Sequence, residues 1–525
     1  VDAEKMDRVG ETTLPSIVRE KAVMAAEQPF LVHEDLEGRV STLTFAQMHE
    51  AATRCAAALQ ALGAKKGDRV FVFLRNTADF VPLWFGIAAA GCIIAPGNIY
   101  LTAREIEFVI AKSRPRIIVT ESRFLGLIEE AAAACAIDAS IISADGGARA
   151  GSLPELLAAA PAFLPVEISS DDVAEILFTS GTSANPKGVM LTHANLVWCG
   201  LSGVANTGIG PADRLFNNKP LFHVNCQETV LACLTAGATA IIGERYSASR
   251  YLSQLVRHRA TVCSLSAMLC RTLLNQPPSE LDRAHTIRFA GYGINIAEAE
   301  IAAFVERFGM RIRNGYGQTE AMVYISVEAL TSPSTYPSIG RPALEREVFI
   351  VDELNRPLPA GEVGEIVVKG RPGRNLMLGY FEDEEATRAA FDGGWLHSGD
   401  LGSFDASGNL YFHGRRGDMI KRAGENISVQ EVESVLVSHP GVADVAVVGI
   451  DDPVRDQAVK AFIVRRDGHR PSEDELRDFC RERLAYFKVP EFVAFVPVLP
   501  RNASGKISKR ELLAPLEQWQ GKGAG

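Results

Sequence analysis

With 525 residues, 47% of them hydrophobic and 22% charged, the chain has the composition of a soluble globular protein and is too long for one ordinary core. Its formal net charge of −10 disfavours a general nucleic-acid binder, which needs clustered Lys and Arg, while leaving room for a local basic pocket. Nine cysteines without CxxC pairs or zinc-like spacing predict free, largely buried thiols in a reducing compartment.

Residues 1–30 carry mixed charge and no signal-peptide core, which predicts a cytoplasmic protein. Alanine-rich apolar spacing over 44–62 predicts a helix; 69–74 reads as a buried strand, 81–91 as a helix and 116–119 as a strand. This alternation implies parallel sheets covered by helices. The apolar run 84–96 contains glycine and is too short to span a bilayer. A strand over 174–178 leads into Thr179-Ser180-Gly181-Thr182-Ser183-Ala184-Asn185-Pro186-Lys187-Gly188, after which an apolar pattern resumes over 189–193. The strand and helix pattern recurs at 239–242 and after Tyr251. Beyond about Pro342, short strands at 347–351 and 365–368 between Pro/Gly turns predict a small β-rich subdomain. A basic, glycine-containing stretch, 415–424, then precedes helix 429–438, strands 442–448 and 459–464 and helix 473–484, enough for a small α/β domain. Residues 520–525 read as a frayed end.

The 179–188 segment holds the chemistry of a polyphosphate loop. Its small residues let backbone N–H groups approach an anion, its hydroxyls add donors, and Lys187 adds a mobile charge. It is not a Walker A loop, which needs Gly-Lys followed by Ser or Thr at a helix start; here Pro186 precedes Lys187 and Gly188 follows it.

The order of these residues resembles the phosphate loop of the acyl-adenylate-forming superfamily: acyl-CoA synthetases, peptide-synthetase adenylation domains and firefly luciferase. Four further motifs follow in family order. Tyr316-Gly317-Gln318-Thr319-Glu320 resembles the second nucleotide motif, and His397-Ser398-Gly399-Asp400 the ribose motif. Gly414-Arg415-Arg416-Gly417-Asp418-Met419-Ile420-Lys421 resembles the hinge, and Pro500-Arg501-Asn502-Ala503-Ser504-Gly505-Lys506 the C-terminal lysine motif. The resemblance implies an α/β fold: a large N-terminal AMP-binding domain, 1–416, of helix-covered sheets with the β-rich subdomain, and a small mobile α/β domain, 417–525, hinged near Gly417.

It also implies the reaction: a carboxylate displaces pyrophosphate from ATP to form an acyl-adenylate, then a thiol takes the acyl group and releases AMP. Under that resemblance Thr179, Ser180, Gly181, Thr182 and Lys187 hold the β and γ phosphates, Thr319 reaches the α-phosphate, and Glu320 ligates Mg²⁺, a hard ion suited to carboxylate oxygen. Tyr316, with Gly317 and Gln318, lies at the adenine, Gly291 of Gly291-Tyr292-Gly293 on the strand beside it, and Asp400 and Arg415 at the ribose. Lys506 bridges the reacting carboxylate and phosphate, His223 stands at the acyl pocket, and Gly424, Glu425 and Asn426 line the CoA tunnel.

Phe222-His223-Val224-Asn225-Cys226-Gln227, Ala236-Gly237-Ala238-Thr239 and Tyr336-Pro337-Ser338-Ile339-Gly340-Arg341-Pro342 are similar to a subgroup, the bacterial crotonobetaine/carnitine-CoA ligases. A quaternary ammonium substrate wants aromatic faces or a carboxylate, for which Trp198, Tyr292, Tyr324 and Glu228 are candidates. Short-chain, medium-chain and aromatic acids stay open, as does the oligomeric state, a homodimer included. So does a stand-alone enzyme that loads a carrier protein in place of CoA. A P-loop ATPase or phosphotransferase is disfavoured by the missing Walker pattern.

Overall fold

In the computed structural model, which describes residues 7–146, 151–179, 186–293, 296–331, 334–416, 419–422, 425–452, 456–501 and 507–513, local signals set the elements. Thr44 accepts a hydrogen bond from the Gln47 N–H and Gln47 answers on the Thr44 N–H, a capping box that starts helix Phe45–Ala61. Its Phe45, Met48, Ala52, Cys55, Ala56 and Leu59 form one buried face. Helix Phe80–Ala89 is buried almost all round. It comes so close to the first helix that a Cβ on Gly86 would lie 2.8 Å from the Ala52 carbonyl. The long apolar run is therefore a core helix followed by strand Ile93–Pro96.

Contacts divide the chain into two compact units. One comprises Val1–Ile294, Ala299–Val348 and Val368–Leu396, the other Asn295–Glu298, Phe349–Val367 and His397–Gly525. The boundary expected from sequence, Gly417, lies outside the described residues.

The first unit contains two large sheets. In the seven-stranded sheet, Arg69–Phe73 runs parallel to Ile93–Pro96 and Ile117–Thr120, and Ile93–Pro96 parallel to Val173–Thr179. Val173–Thr179 pairs antiparallel with Lys187–Thr192, which pairs antiparallel with the short Gly379–Tyr380. Phe71, Phe73, Ile106, Val109, Ile110, Ile118 and Ile128 pack into a buried cluster on this sheet. The nine-stranded sheet has a parallel centre in the order Ile312–Gln318, Phe289–Tyr292, Val262–Ser264, Arg214–Asn217, Thr239–Gly243 and Pro29–Glu34. Antiparallel strands close both of its edges.

The second unit holds most of a four-stranded sheet, Glu347–Val351, Gly364–Lys369, Leu396–Phe404 and Leu410–Arg415. It also holds a five-stranded sheet built around the Val442–Asp452 and Asp456–Arg465 hairpin. Ile427, Val432, Leu436, Val447, Ile463 and Leu476 give that sheet its own core. All nine cysteines are free, and all but Cys135 are buried, as their spacing predicts. Among the described residues no helix is long and apolar enough to cross a membrane.

Candidate active site

The phosphate segment is flanked by two antiparallel strands. Thr179 ends one strand, Lys187 begins the next, and the two are register partners. The Thr179 hydroxyl donates to the Lys187 carbonyl at 3.5 Å. A Walker loop instead joins a strand to a helix. Ser180, Gly181 and Thr182 lie outside the described residues.

Three distant parts of the first unit converge here. The ammonium of Lys187 sits 4.8 Å from the centre of the Tyr380 ring. The Tyr380 hydroxyl donates to Glu320 Oε1 at 3.0 Å. The backbone fixes the same arrangement: Met377 N–H donates to the Glu320 carbonyl at 2.8 Å and Phe381 N–H to the Gly188 carbonyl at 2.7 Å. The residues after Met377 thus tie the lysine strand to the Thr319–Ala321 turn. Thr319 opens that turn, and Thr319 and Glu320 are both partly exposed. Glu320 fits Mg²⁺ chemically, as a partly exposed hard oxygen donor whose Oε1 is already oriented. No group of three or more potential metal-ligating side chains occurs among the described residues. Mg²⁺ usually takes only one or two carboxylates and completes its shell with water and phosphate oxygen.

Tyr316 and Gly317 lie on strand Ile312–Gln318, with Tyr316 3% exposed. The register shifts between these two residues, and a Cβ on Gly317 would collide with the Val323 carbonyl. Only glycine fits there. Gln318 ends the strand and directly precedes Thr319. Gly291 lies on the neighbouring parallel strand, with open space where a side chain would project.

His223 caps helix Val224–Ala236 with an extended backbone, its ring edge-on to Phe222 at 4.8 Å. Just before it stands Lys219, partly exposed along its stem but enclosed at its ammonium end. Nζ donates to Ser264 Oγ at 2.9 Å and to the Leu265 carbonyl at 2.8 Å, while burial lowers its pKa to about 8. Trp198 is 5% exposed, with the Arg346 guanidinium 5.5 Å over one face of its ring.

In the second unit, Asp400 and Arg415 are cross-strand partners, with Arg415 Nε 3.2 Å from Asp400 Oδ1. Asp400 is 4% exposed. Gly399, directly before it on strand Leu396–Phe404, has φ +72°, a conformation that favours glycine. Ser398 Oγ donates to the Ile366 carbonyl at 2.6 Å and accepts from the Asp400 N–H at 3.0 Å. Glu365 accepts from the Gly399 N–H at 3.0 Å and pairs with His397 at 3.1 Å and Arg416 at 3.1 Å. Burial works to raise the Glu365 carboxyl, but bonds from His397 and Gly399 outweigh it and hold it below its usual value. Glu425 and Asn426 lie on strand Glu425–Ser428, paired with Met419–Arg422. Gly417, Gly424 and Lys506 lie outside the described residues.

Sequence reasoning missed Tyr380, Lys219 and Glu365. Tyr380 carries no signal within Gly379-Tyr380-Phe381, because its partners lie at 187 and 320. Lys219 had one: a lone charge directly before an apolar Pro-Leu-Phe run.

Residues 18–381 match the AMP-binding enzyme family and residues 431–506 its C-terminal domain. The crotonobetaine/carnitine–CoA ligase of Salmonella heidelberg is 39% identical over 517 residues, 97% of this chain and 100% of that protein. Among solved structures, o-succinylbenzoate coenzyme A synthetase from Bacillus subtilis in complex with AMP superposes with a TM-score of 0.84 at 31% identity. That match covers 95% of this chain and 98% of the other. An anthranilate CoA ligase in complex with anthranoyl-AMP gives 0.87 at 26% identity, covering 98% of each chain. The chain belongs to the AMP-binding enzyme family and, within it, to the ligases that activate a carboxylic acid as its adenylate and pass it to CoA.

Proposed function

We propose that this enzyme joins a small carboxylic acid to CoA in two steps. A carboxylate oxygen attacks the α-phosphorus of ATP and pyrophosphate leaves. The CoA sulfur then attacks the acyl carbon and AMP leaves. The first step brings two anions together, so cations and aimed donors supply most of the rate. Lys187, Thr179, Ser180 and Thr182 hold the β and γ phosphates, and Thr319 donates to the α-phosphate. Glu320 holds Mg²⁺, which neutralises phosphate charge when bound. Tyr316, Gly317, Gln318 and Gly291 form the adenine side, and Asp400 with Arg415 takes the ribose. Lys506 bridges carboxylate and phosphate, His223 borders the acyl group, Gly417 is the hinge, and Gly424, Glu425 and Asn426 line the pantetheine path.

The observation that carries this reading is the convergence of Lys187, Tyr380 and Glu320, three residues far apart in sequence. An ammonium over the ring of one tyrosine and a carboxylate at its hydroxyl are groups suited to phosphate and to a hard metal ion. The named relatives make carnitine- or crotonobetaine-like acids the first substrates to try, ahead of other short- and medium-chain acids. A cytoplasmic setting accords with nine free thiols and with ATP and CoA as substrates.

An acid panel with ATP, Mg²⁺ and CoA tests the function. AMP and pyrophosphate should appear in equal amounts, dependent on the acid. Stoichiometric ADP without AMP would refute it.

A further inference from the structure

Helix Val224–Ala236 starts directly after His223 and sets Asn225, Glu228 and Thr229 on one face, three and four residues apart. That face is polar over the first turns of the helix. Asn225 Oδ1 accepts from Ser264 Oγ at 3.3 Å, which in turn accepts from Lys219 Nζ, and Thr229 Oγ1 accepts from Asn217 Nδ2 at 2.9 Å. A hydrocarbon acid gains nothing from such a wall.

Glu228 is the unexplained member. It is only 6% exposed, and its Oε1 is sealed from solvent with no hydrogen-bond partner. A buried carboxyl oxygen without a donor is costly to keep. Space has been made for it on the facing helix His193–Thr207: a Cβ on Gly203 would lie 2.5 Å from Glu228 Oε1. Burial raises its pKa to about 8, against the opposing pull of Lys219, so the group is mostly neutral near pH 7 until a cation arrives. Burial raises the Tyr324 phenol pKa well above its usual value, and the nearby Glu228 charge adds to that. Its ring lies against the strand carrying Tyr316 and Gln318, 3.3 Å from where a Cβ on Gly315 would sit.

Resting on the acid–CoA ligase reading, we propose that Glu228 is the specificity determinant of the acyl pocket, seating a quaternary ammonium at the far end of the acid with the Tyr324 ring beside it. A quaternary ammonium donates no hydrogen bonds, so it suits a carboxylate oxygen that receives none, and it is attracted to an aromatic face. A zwitterionic acid also brings its own compensation. Its carboxylate goes to the reacting end and its cation neutralises Glu228, so no net charge is buried.

The test compares two acids of one shape: an ω-trimethylammonio acid and the uncharged acid with carbon in place of nitrogen. Pyrophosphate release gives kcat/KM for each on wild type, Glu228→Gln and Glu228→Asp, with thermal melts to check folding. Wild type should favour the cationic acid by about a hundredfold. Glu228→Gln should cut that ratio by about thirtyfold or more, the scale of losing one partner of a buried charge pair. Glu228→Asp should keep the preference. A wild type without preference for the cation, or a Gln variant that slows both acids equally, overturns the assignment. If the preference is absent while either acid still gives AMP and pyrophosphate, only this assignment falls. If no acid gives AMP, the ligase reading beneath it falls too.

Discussion

At the residue scale, Tyr380 is worth isolating because one side chain touches both Lys187 and Glu320. Tyr380→Phe keeps the ring against the ammonium and removes only the hydroxyl donor. A hydrogen bond to a charged group contributes about 1.5–3 kcal/mol, so kcat/KM for MgATP should fall about tenfold to a hundredfold, with little change in melting temperature. Raising Mg²⁺ should recover part of the loss if the hydroxyl serves to orient Glu320; a Mg²⁺-independent defect would exclude that role. A second residue gives a pH signature. Glu175 is wholly buried on strand Val173–Thr179, accepts from Gln227 Nε2 at 2.6 Å, and leaves Oε2 without a partner. Burial raises its pKa from 4.5 to about 8, the Gln227 bond only partly opposing it. The folded chain therefore keeps a proton that the unfolded chain releases, and the group's contribution to stability falls as pH rises between those values. The slope is about 1.4 kcal/mol per pH unit for one proton. Glu175→Gln should gain in melting temperature over wild type from about pH 5 to about pH 8 and level off above; a constant offset would mean that the carboxyl does not hold its proton.

At the element scale, the helices His193–Thr207 and Val224–Ala236 meet along a seam of small residues. A Cβ on Gly200 would lie 2.7 Å from the Leu231 carbonyl, and one on Gly203 2.8 Å from Ala232 Cβ. Backbone cannot yield as a flexible side chain does, so Gly200→Ala should cost about 1–3 kcal/mol by overpacking despite alanine's better helix propensity. A denaturant midpoint at or above wild type would show that the helices can separate without loss. This seam was not legible in the sequence, where Gly200 and Gly203 look like ordinary helix weakeners. The helices and strands themselves were. Periodicity and capping residues are local signals, and the helix read over 44–62 appears as Phe45–Ala61 and the strand read over 69–74 as Arg69–Phe73. What pairs with what was not local. The two-residue strand Gly379–Tyr380 owes its place to Met190 and Val189, nearly two hundred positions earlier, and no pattern within so short a segment announces it.

At the scale of the whole molecule, the motifs are shared between the two units. Lys187, Tyr316, Thr319, Glu320 and Tyr380 belong to the first; Asp400, Arg415, the Glu425–Ser428 strand and Lys506 belong to the second. The order of motifs made the reaction class readable, because each is a contiguous run. Glu365 and Tyr380 escaped because they act only through contacts that folding creates. The division predicts that the half-reactions can be separated by changing one residue. In the proposed mechanism Lys506 supplies a charge needed while the α-phosphate is attacked, whereas transfer from a preformed adenylate has no such demand. Lys506→Ala should lose a hundredfold or more in adenylate formation, about the effect of removing one aimed donor at a developing charge. It should retain most of the acyl transfer from supplied acyl-AMP to CoA. Rapid-quench measurement of each half-reaction on the same purified variant decides the matter. Equal loss in both steps would mean that Lys506 supports the fold of its own unit and not the chemistry.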